Sequence, residues 1–187
     1  MDITKTIKID DYLLINYIEL SLDQKKALLE IRNSESIRKW MIDDSIISLD
    51  KHLSFIGNLE KSSTNYYYAV LKSNEILGGI SVTNWDSKQR TCEWGCFLNP
   101  KFFGFGLKLG YLFIILIFHY FSAIKIYSTV KNDNKEAMEF NKALGFRELS
   151  FIGNNTNYEL NNDYWNIVPN NYKSFVKKII EIKKMKK

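Results

Sequence analysis

A short segment in the middle of the chain, residues 99–110 (NPKFFGFGLKLG), has two lysines and two glycines spaced two residues apart, Gly104 and Gly106, and leads into an apolar run. The pattern predicts a strand before this segment and a helix from about Leu107. The first amide groups of a helix have no backbone partner and carry partial positive charge, so such a turn is suited to bind phosphate. Gly104 and Gly106 would let the backbone approach the ligand closely, and Lys101 would add charge.

The glycine spacing differs from two common phosphate-binding loops. No Gly-Lys-Ser/Thr follows, as a P-loop requires, and the third glycine and the downstream acidic residue of the dinucleotide fingerprint are missing. A second pattern lies at residues 130–146 (VKNDNKEAMEFNKALGF). There Asn134 precedes a predicted helix that carries Ala137 and Phe140, and Gly145 stands where that helix should end. Together the two patterns favour a binding site built from strand–helix turns.

The patterns around these motifs predict an α+β fold. Ser21 and Gln24 form a capping box that predicts a helix over residues 21–33. Further helices are expected at residues 37–41, from about residue 48, at 107–122 and 134–144, and from about residue 169. Strands are expected at residues 12–20, 66–71, 75–84, 90–98, 125–130, 147–152 and 158–168. This order predicts a central, mostly antiparallel mixed sheet flanked by helices, with one strand–helix–strand crossover.

The net charge of +5 is concentrated at the end of the chain. Residues 173–187 contain seven lysines and one glutamate, a net charge of +6, so the rest of the chain sums to about −1 (5 − 6). We expect one domain over residues 1–170 and a basic C-terminal helix or tail over residues 171–187. A terminal lysine run is usually a solvated helix face or a frayed end, so a nucleic-acid partner is not expected.

The apolar segments do not predict membrane insertion. The N-terminus (MDITKTIKID) has no apolar core of a secretory signal, which predicts a cytoplasmic protein. The longest apolar run, residues 109–118, is ten residues long and too short to span a bilayer.

The cysteines do not predict a disulfide or a metal site. Cys92 and Cys96 lie four residues apart in a predicted strand, so their Cα atoms should be about 13 Å apart, too far to be bridged. No Cys or His pair has ligand spacing elsewhere, and we expect no metal.

In combination, the two glycine-containing motifs resemble the general N-acetyltransferase (GNAT) superfamily. Its acyl-CoA site has Gln/Arg-x-x-Gly-x-Gly/Ala at a strand–helix turn, then Asn-x-x-Ala and a later Gly-Phe. This chain has KFFGFG from Lys101, NKEA from Asn134, and Gly145-Phe146. Lys101 stands where Gln or Arg is usual, which keeps the charge but loses a planar donor.

The resemblance implies a GNAT-type acyl-CoA N-acyltransferase fold and acetyl-CoA as cosubstrate. By this resemblance, amides at the glycine turn hold the CoA diphosphate, strand backbone pairs with the pantetheine arm as an added strand, and Asn134 hydrogen-bonds that arm. The implied cofactor-binding residues are Phe97, Leu98, Lys101, Phe103, Gly104, Phe105, Gly106, Leu107, Asn134 and Phe140.

One position departs from the superfamily pattern at the expected catalytic centre. Many members carry a tyrosine where this chain has Asn141, and that tyrosine is thought to protonate the departing thiolate. An amide cannot do this because it has no proton to give at a useful pKa. Either Asn141 positions a water or the thioester sulfur, or another group such as Tyr127 is the acid, or CoA leaves as the thiolate, whose reference pKa of about 8.5 makes that tolerable.

Glu93 is the candidate general base on the strand that would receive the thioester. It could take a proton from the acceptor ammonium, directly or through water, provided that burial favours its protonated form. The alternative is an ordinary solvated or salt-bridged strand glutamate. The freed amine would attack the thioester without a covalent enzyme intermediate, and a backbone N–H near the distorted strand 90–98 would stabilise the oxyanion.

The N-terminal third carries a closer resemblance. Residues 31–56 (IRNSESIRKWMIDDSIISLDKHLSFI), with TCEWGCFLNP at residues 91–100, resemble the acetyltransferases of pseudaminic acid synthesis. These acetylate the 4-amino group of UDP-4-amino-4,6-dideoxy-N-acetyl-β-L-altrosamine. The resemblance implies a small nucleotide-sugar acceptor, although a related nucleotide-linked amino sugar fits the same residues. The oligomeric state stays open, with a homodimer as one candidate.

Each candidate acceptor-binding residue has a structural alternative. Arg32, and with it Arg38, could clamp a diphosphate or form a surface salt bridge. His52 could hydrogen-bond the nucleotide or be a structural histidine. Met41, Phe55 and Trp94 could enclose a 6-deoxy sugar or pack in the core. Thr83 could hydrogen-bond a ligand or simply favour a strand.

Three functions therefore remain open from the sequence. The first is N-acetylation of a UDP-linked amino sugar. The second keeps the fold but uses a protein N-terminus, an amino acid or a polyamine as acceptor. The third is a non-catalytic acyl-CoA sensor, or a nucleic-acid-binding module that uses the lysine-rich tail.

Overall fold

The computed structural model describes residues 6–167. Its strands are β1 (Ile7–Ile9), β2 (Tyr12–Asn16), β3 (Tyr66–Lys72), β4 (Glu75–Asp86), β5 (Thr91–Leu98), β6 (Lys125–Lys131), β7 (Arg147–Ile152) and β8 (Asn155–Asn161). Its α-helices are α1 (Leu22–Asn33), α2 (Glu35–Arg38), α3 (Leu49–Leu59), α4 (Gly106–Ile115), α5 (Lys135–Ala143) and α6 (Asn162–Ile167). The predicted tail, its boundary at residue 170 and the helix from residue 169 lie outside the described residues.

The strands form one mixed sheet in the order β1-β2-β3-β4-β5-β6-β8-β7. Strands β1 to β5 are an antiparallel meander. Strands β5 and β6 are parallel and are joined through α4, because parallel neighbours need a crossover connection. The sheet continues antiparallel through β8 to β7. The predicted α+β class, the meander and the central crossover are confirmed.

Local capping signals fix where several helices begin. The Ser21 hydroxyl accepts from the N–H of Gln24 while the Gln24 side chain accepts from the N–H of Ser21, the reciprocal capping box that the sequence predicts. At the start of α3, the Ser48 hydroxyl accepts a hydrogen bond from the N–H of Lys51. Gly145 has φ 92°, the left-handed conformation that favours glycine after a helix.

Helix α4 and the π-helical turn after it, Leu116–Tyr120, form the apolar centre of the molecule. Leu112, Phe113 and Ile114 are fully buried against the sheet. The apolar run therefore serves to pack the helix that begins at the glycine turn. Within residues 6–167, the structure contains no helix with both the length and the apolar surface needed to cross a membrane.

The strand predicted at residues 158–168 is wrong in its second half. Strand β8 ends at Asn161, whose side chain accepts a hydrogen bond from the N–H of Asp163, and the chain continues as α6. Trp165 on α6 packs against the rings of Tyr111 and Phe118, with centroids 5.6 and 5.8 Å apart. Burial of this indole fixes a helical turn that periodicity alone did not indicate.

One further strand and two element boundaries differ from the prediction. Strand β1 was not predicted, and it pairs with β2 through a hairpin at Asp10, which has φ 52°. Strand β2 ends at Asn16 because that side chain caps a short 3-10 turn at Tyr17–Glu19. Helix α2 covers Glu35–Arg38 rather than residues 37–41.

Cys92 and Cys96 are both free, as their spacing in β5 predicts. Burial raises the pKa of each thiol to about 12.

Candidate active site

The site begins where β5 and β6 separate. Their parallel pairing covers only three residue pairs and ends at Glu93 and Tyr127, although β5 continues to Leu98 and β6 to Lys131. Among the described strands, only β6 adjoins that edge of β5. The backbone of residues 94–98 therefore presents an open strand edge toward the gap, to which an extended ligand can add.

A cavity of about 520 Å³, which we call the central cavity, occupies this gap. Its walls come from β3, β4, β5 and β6, from α1, α3 and α5, and from the loop that follows α2. Lining residues include Tyr17, Arg32, Trp40, Met41, His52, Phe55, Tyr67, Thr83, Glu93, Trp94, Cys96, Phe97, Ser128, Asn134, Ala137, Phe140 and Asn141. A second cavity of about 540 Å³ shares Ile42, Lys131 and Asn155 with it.

The glycine turn places a helix N-terminus beside this cavity. Gly104 has φ 91°, a conformation that L side chains rarely adopt. The N–H of Leu109 makes an intrahelical bond to the carbonyl of Phe105 at 2.9 Å. The amides of Gly106 and Leu107 precede it in the first turn of α4, where no carbonyl of the helix reaches them. They remain candidates for binding a diphosphate.

Two of the amides that the resemblance implied are engaged in local turns. The N–H of Phe103 donates to the carbonyl of Pro100 at 3.3 Å, and the N–H of Phe105 donates to the carbonyl of Phe102 at 3.1 Å. Lys101 is exposed and forms an ion pair with Glu75. A bound phosphate would have to compete with that carboxylate.

Asn134 and Phe140 line the central cavity, and Phe140 also lies near the glycine turn. The Asn134 side-chain oxygen accepts from the N–H of Ala137 at 3.1 Å and so caps α5. Its amide nitrogen is the group left to meet a ligand. The Phe140 ring would lie 3.9 Å from a Cβ at Gly106, and it stacks parallel to Trp94 with centroids 6.2 Å apart.

The three catalytic candidates occupy different positions. Asn141 is buried on the cavity wall and donates from Nδ2 to the hydroxyl of Ser128 at 3.0 Å. Glu93 lines the cavity but is exposed, so it lacks the burial on which its expected role depended. Tyr127 is not among the lining residues and lies beside Lys125. The Tyr127 side chain is therefore poorly placed to act as the acid in this cavity.

An aromatic wall that sequence reasoning largely missed lies on the α1 and α3 side of the cavity. The ring of Tyr17 lies 5.6 Å from that of Tyr67 and 6.5 Å from that of His52. Phe55 meets Tyr67 edge-on at 5.0 Å. Burial raises the pKa of Tyr17 and of Tyr67, so both phenols stay neutral. The alternation of side chains along β3 could have predicted that Tyr67 lies on the other face of the sheet from Tyr66 and Tyr68. It could not show which of the two faces carries the site.

His52 stands out on this wall. It is 6% exposed, and its Nε2 is buried and has no hydrogen-bond partner within the described residues. Buried polar atoms of native proteins are nearly always paired. An unpaired nitrogen on a cavity wall therefore favours the ligand-binding interpretation over a satisfied structural histidine.

Arg32 and Arg38 donate hydrogen bonds to backbone carbonyls of a neighbouring loop. Arg32 donates to the backbone carbonyls of Asp43 and Ser45 at 2.6 and 3.1 Å, and Arg38 donates to that of Asp44 at 3.0 Å. The two guanidinium groups therefore hold the loop of residues 39–47 against α1 and α2. This loop supplies Trp40, Met41, Ile42 and Ile47 to the central cavity.

The other acceptor candidates divide between wall and core. Met41, Phe55 and Thr83 lie on the cavity wall and are not fully buried. Trp94 is 7% exposed and packs against Phe113, Phe140 and Phe146. Most of its indole belongs to the core, and only part of it meets the cavity.

The buried imidazole predicts a pH-dependent stability. Burial lowers the pKa of His52, and a hydrogen bond to the backbone of Lys25 opposes the shift. The unfolded chain then binds a proton more readily, so the stabilisation is complete above about pH 6.5 and is lost as pH falls through the folded pKa. We expect His52→Gln to reduce the loss of unfolding free energy between about pH 7 and pH 5, measured by urea titration.

His119 provides the matched control, because it is the only other histidine in the chain and its side chain is exposed. His119→Gln is measured in the same way and controls for the loss of an imidazole from the chain. A His52→Gln protein with the wild-type pH dependence would show that burial of this imidazole does not set the slope.

Comparison with known proteins gives a consistent result. A family model described as an acetyltransferase (GNAT) domain matches residues 15–147. Two Campylobacter jejuni proteins named acetyltransferase PseH are 27% identical over 124 residues, covering 66% of this chain and 77% of theirs, and 32% identical over 94 residues, covering 50% and 58%.

Solved structures share the fold. The crystal structure of Campylobacter jejuni N-acetyltransferase PseH in complex with acetyl coenzyme A superposes with a TM-score of 0.68 at 20% identity, covering 81% of this chain and 99% of that one. Spermidine N-acetyltransferase from Vibrio cholerae, in complex with CoA and spermine, superposes with a TM-score of 0.74 at 15% identity, covering 84% and 99%.

Proposed function

Because the chain belongs to the GNAT acetyltransferase family, we propose that it transfers the acetyl group of acetyl-CoA to the 4-amino group of a UDP-linked amino-dideoxy sugar. The family makes it an acetyl-CoA-dependent acetyltransferase. The choice of acceptor is our proposal, supported by the similarity to two PseH acetyltransferases and by the resemblance of residues 31–56 to enzymes of pseudaminic acid synthesis.

The separation of β5 from β6 is the observation that carries this proposal. It opens the sheet between a helix N-terminus on one side and an aromatic wall on the other. Both substrates of an acyl transfer can then approach one point from opposite faces of the sheet. Holding them there converts a bimolecular reaction into an effectively unimolecular one.

The residues present fit acetyl-CoA in three ways. The amides of Gly106 and Leu107 suit a diphosphate. The open edge of β5 at Phe97 and Leu98 offers backbone hydrogen bonds to the amide-containing pantetheine arm. The side chain of Asn134 lines the central cavity, and its amide nitrogen could donate a hydrogen bond to the pantetheine arm. Acetyl-CoA would supply the activated acyl group, and the protein would hold that group in position for attack by the amine.

The acceptor would lie on the α1 and α3 side of the cavity. The unpaired Nε2 of His52 can meet a polar group of the nucleotide, and Tyr67 and Phe55 offer flat apolar surface to a base or a deoxysugar. Met41 and Thr83 border the same space. Arg32 can reach a diphosphate only by giving up part of its hold on residues 43–45, which would couple acceptor binding to that loop.

Proton transfer from the acceptor would use the exposed Glu93. A solvated carboxylate can take the ammonium proton through water at the cavity mouth. Because Glu93 is exposed, this route agrees with its position better than direct contact with the amine in a water-free site. The released amine would then attack the thioester, and a backbone N–H at the open edge of β5 would stabilise the oxyanion.

Direct product analysis tests the proposal. The protein is mixed with acetyl-CoA and a panel of acceptors: UDP-4-amino-sugars, spermidine, free amino acids and an N-terminal peptide. We expect the UDP-amino-sugar to gain about 42 mass units, the acetyl-for-hydrogen difference, with the highest kcat/KM of the panel.

The same panel separates the alternatives. A preference for spermidine, an amino acid or peptide would reject the sugar assignment while leaving the acetyltransferase intact. Tight binding of acetyl-CoA without turnover of any amine would instead indicate an acyl-CoA sensor.

A further inference from the structure

Ser128 and Asn141 form a buried polar pair on the wall of the central cavity. The side chains come from β6 and α5, are 6% and 2% exposed, and meet through a 3.0 Å hydrogen bond. Of the other buried polar residues among those described, His52 belongs to the aromatic wall of the cavity, Thr156 bonds to Asn132, and Asn16 caps a 3-10 turn. Burying a hydroxyl and an amide in an apolar wall costs free energy, so this pair calls for an explanation.

The direction of the hydrogen bond determines what Ser128 can still do. The Asn141 amide nitrogen can only donate, so the serine oxygen is the acceptor. The hydroxyl hydrogen of Ser128 then points to an acceptor other than Asn141. Asn141 thereby turns the serine into an oriented donor.

The position of Ser128 follows from the strand register. Glu93 and Tyr127 are the last paired residues of β5 and β6. Trp94 and Ser128 are the next residues on each strand, so they stand at the point where the gap opens. Both side chains lie on the face that carries α5, since Trp94 packs on Phe140 and Ser128 bonds to Asn141.

We propose that the Ser128 hydroxyl donates a hydrogen bond to the CoA sulfur as the thiolate departs, with Asn141 as the positioning residue. This inference rests on the proposed acetyl transfer, which brings the thioester into the gap between β5 and β6. It assigns stabilisation of the departing thiolate, by a hydrogen bond rather than by proton transfer, to a serine next to position 141.

The chemistry balances without a further reactant. The acceptor nitrogen forms a bond to the carbonyl carbon, the carbon–sulfur bond breaks, and its electron pair goes to sulfur. The proton lost by nitrogen passes to solvent, and the thiolate later takes one back. Ser128 keeps its proton and lowers the free energy of the developing negative charge, as an oriented donor in a buried site does.

The pair also accounts for the departure at position 141. A tyrosine there would supply a hydroxyl from α5, whereas the shorter asparagine reaches only to β6. The hydroxyl is then contributed by β6. Loss of a proton donor on the helix is compensated by a hydrogen-bond donor on the strand.

The first test needs no acceptor substrate. CoA is bound to the full-length protein and its thiol is titrated by ultraviolet thiolate absorbance. We expect Ser128→Ala to raise the pKa of the bound thiol by about one pH unit relative to wild type, because a hydrogen bond to the charged form is lost. Ser128→Thr, which keeps the hydroxyl, should stay near wild type.

The second test follows turnover with the best acceptor. Ser128→Ala should lower kcat about tenfold and leave the KM for acetyl-CoA within about twofold, since the lost interaction is made mainly in the transition state. Asn141→Ala should lower kcat in the same direction, and Ser128→Thr should restore it. Ser150→Ala is the matched control, because Ser150 is exposed on β7 and outside the cavity lining.

The outcomes separate this inference from the proposed function. Wild-type thiol pKa and kcat in Ser128→Ala would overturn the role of Ser128 while acetyl transfer stands. A wild-type protein that acetylates no amine would remove the proposed function, yet the thiol titration would still report on the Ser128 contact. An equal loss of kcat in Ser128→Thr and Ser128→Ala would mean that side-chain packing at this position, and not the hydroxyl, determines the rate.

Discussion

Replacing Gly106 with aspartate is expected to weaken acetyl-CoA binding by about a hundredfold or more without destabilising the free protein. A Cβ at Gly106 would have only one neighbour within 4 Å, the Phe140 ring at 3.9 Å, so the fold can accept a side chain there. A carboxylate in the first turn of α4 favours the helix by charge–dipole interaction. The same carboxylate would repel a diphosphate a few ångströms away by about 3 kcal/mol or more.

The substitution should weaken acetyl-CoA binding but not destabilise the free protein, so a loss of affinity cannot be attributed to unfolding. Affinity is measured by isothermal titration calorimetry with acetyl-CoA, and stability by thermal unfolding. Gly106→Asn is the matched control, since it has the same shape without the charge and should lose much less affinity. If Gly106→Asp bound acetyl-CoA as tightly as wild type, the diphosphate would have to lie elsewhere and our placement of the cofactor would be wrong.

Replacing Gly78 with alanine is expected to lower the free energy of unfolding by about 2–3 kcal/mol. The added Cβ would lie 2.2 Å from the backbone oxygen of Phe97 and 3.3 Å from the Cα of Leu98. Neither atom is the end of a flexible side chain, so β4 and β5 must move apart. Because Phe97 and Leu98 carry the open strand edge, affinity for acetyl-CoA should fall as well.

Gly57 supplies a control with the same substitution. It lies in α3, and a Cβ there would meet nothing within 4 Å. Gly57→Ala should raise the free energy of unfolding by about 0.5–1 kcal/mol, because alanine loses less backbone entropy in a helix. Urea unfolding of both variants checks the pair. A Gly78→Ala protein as stable as Gly57→Ala would show that β4 and β5 are more loosely packed than the structure indicates.

Much of the fold could be predicted because its signals are local. The capping box at Ser21 and Gln24, the left-handed Gly145 and the alternation of β3 to β5 depend on residues within a few positions of one another. The apolar run that became α4 was correctly placed in the core for the same reason. The family could be identified from motifs of this kind, because the need for each glycine or asparagine is set by the local turn in which it lies.

The partners of those motifs could not be predicted from the sequence. Gly78 and Gly79 resemble ordinary strand glycines until Phe97 is seen packed against them. Arg32 suggested an ion pair, but its partners are backbone carbonyls in a loop 11 and 13 residues later. Glu93 was placed on the correct strand, yet whether it is buried depends on how far β6 follows β5, and no local pattern carries that information.

The sequence by itself determined the elements, their order and the two turns that identify an acetyltransferase, because hydrogen bonds and periodicity within each turn specify them. Only the tertiary structure decided that β5 and β6 part after Glu93, that Tyr17, Tyr67 and His52 form one wall, and that Asn141 donates a hydrogen bond to Ser128. These arrangements depend on contacts between distant segments, and their geometry exists only once the core has packed.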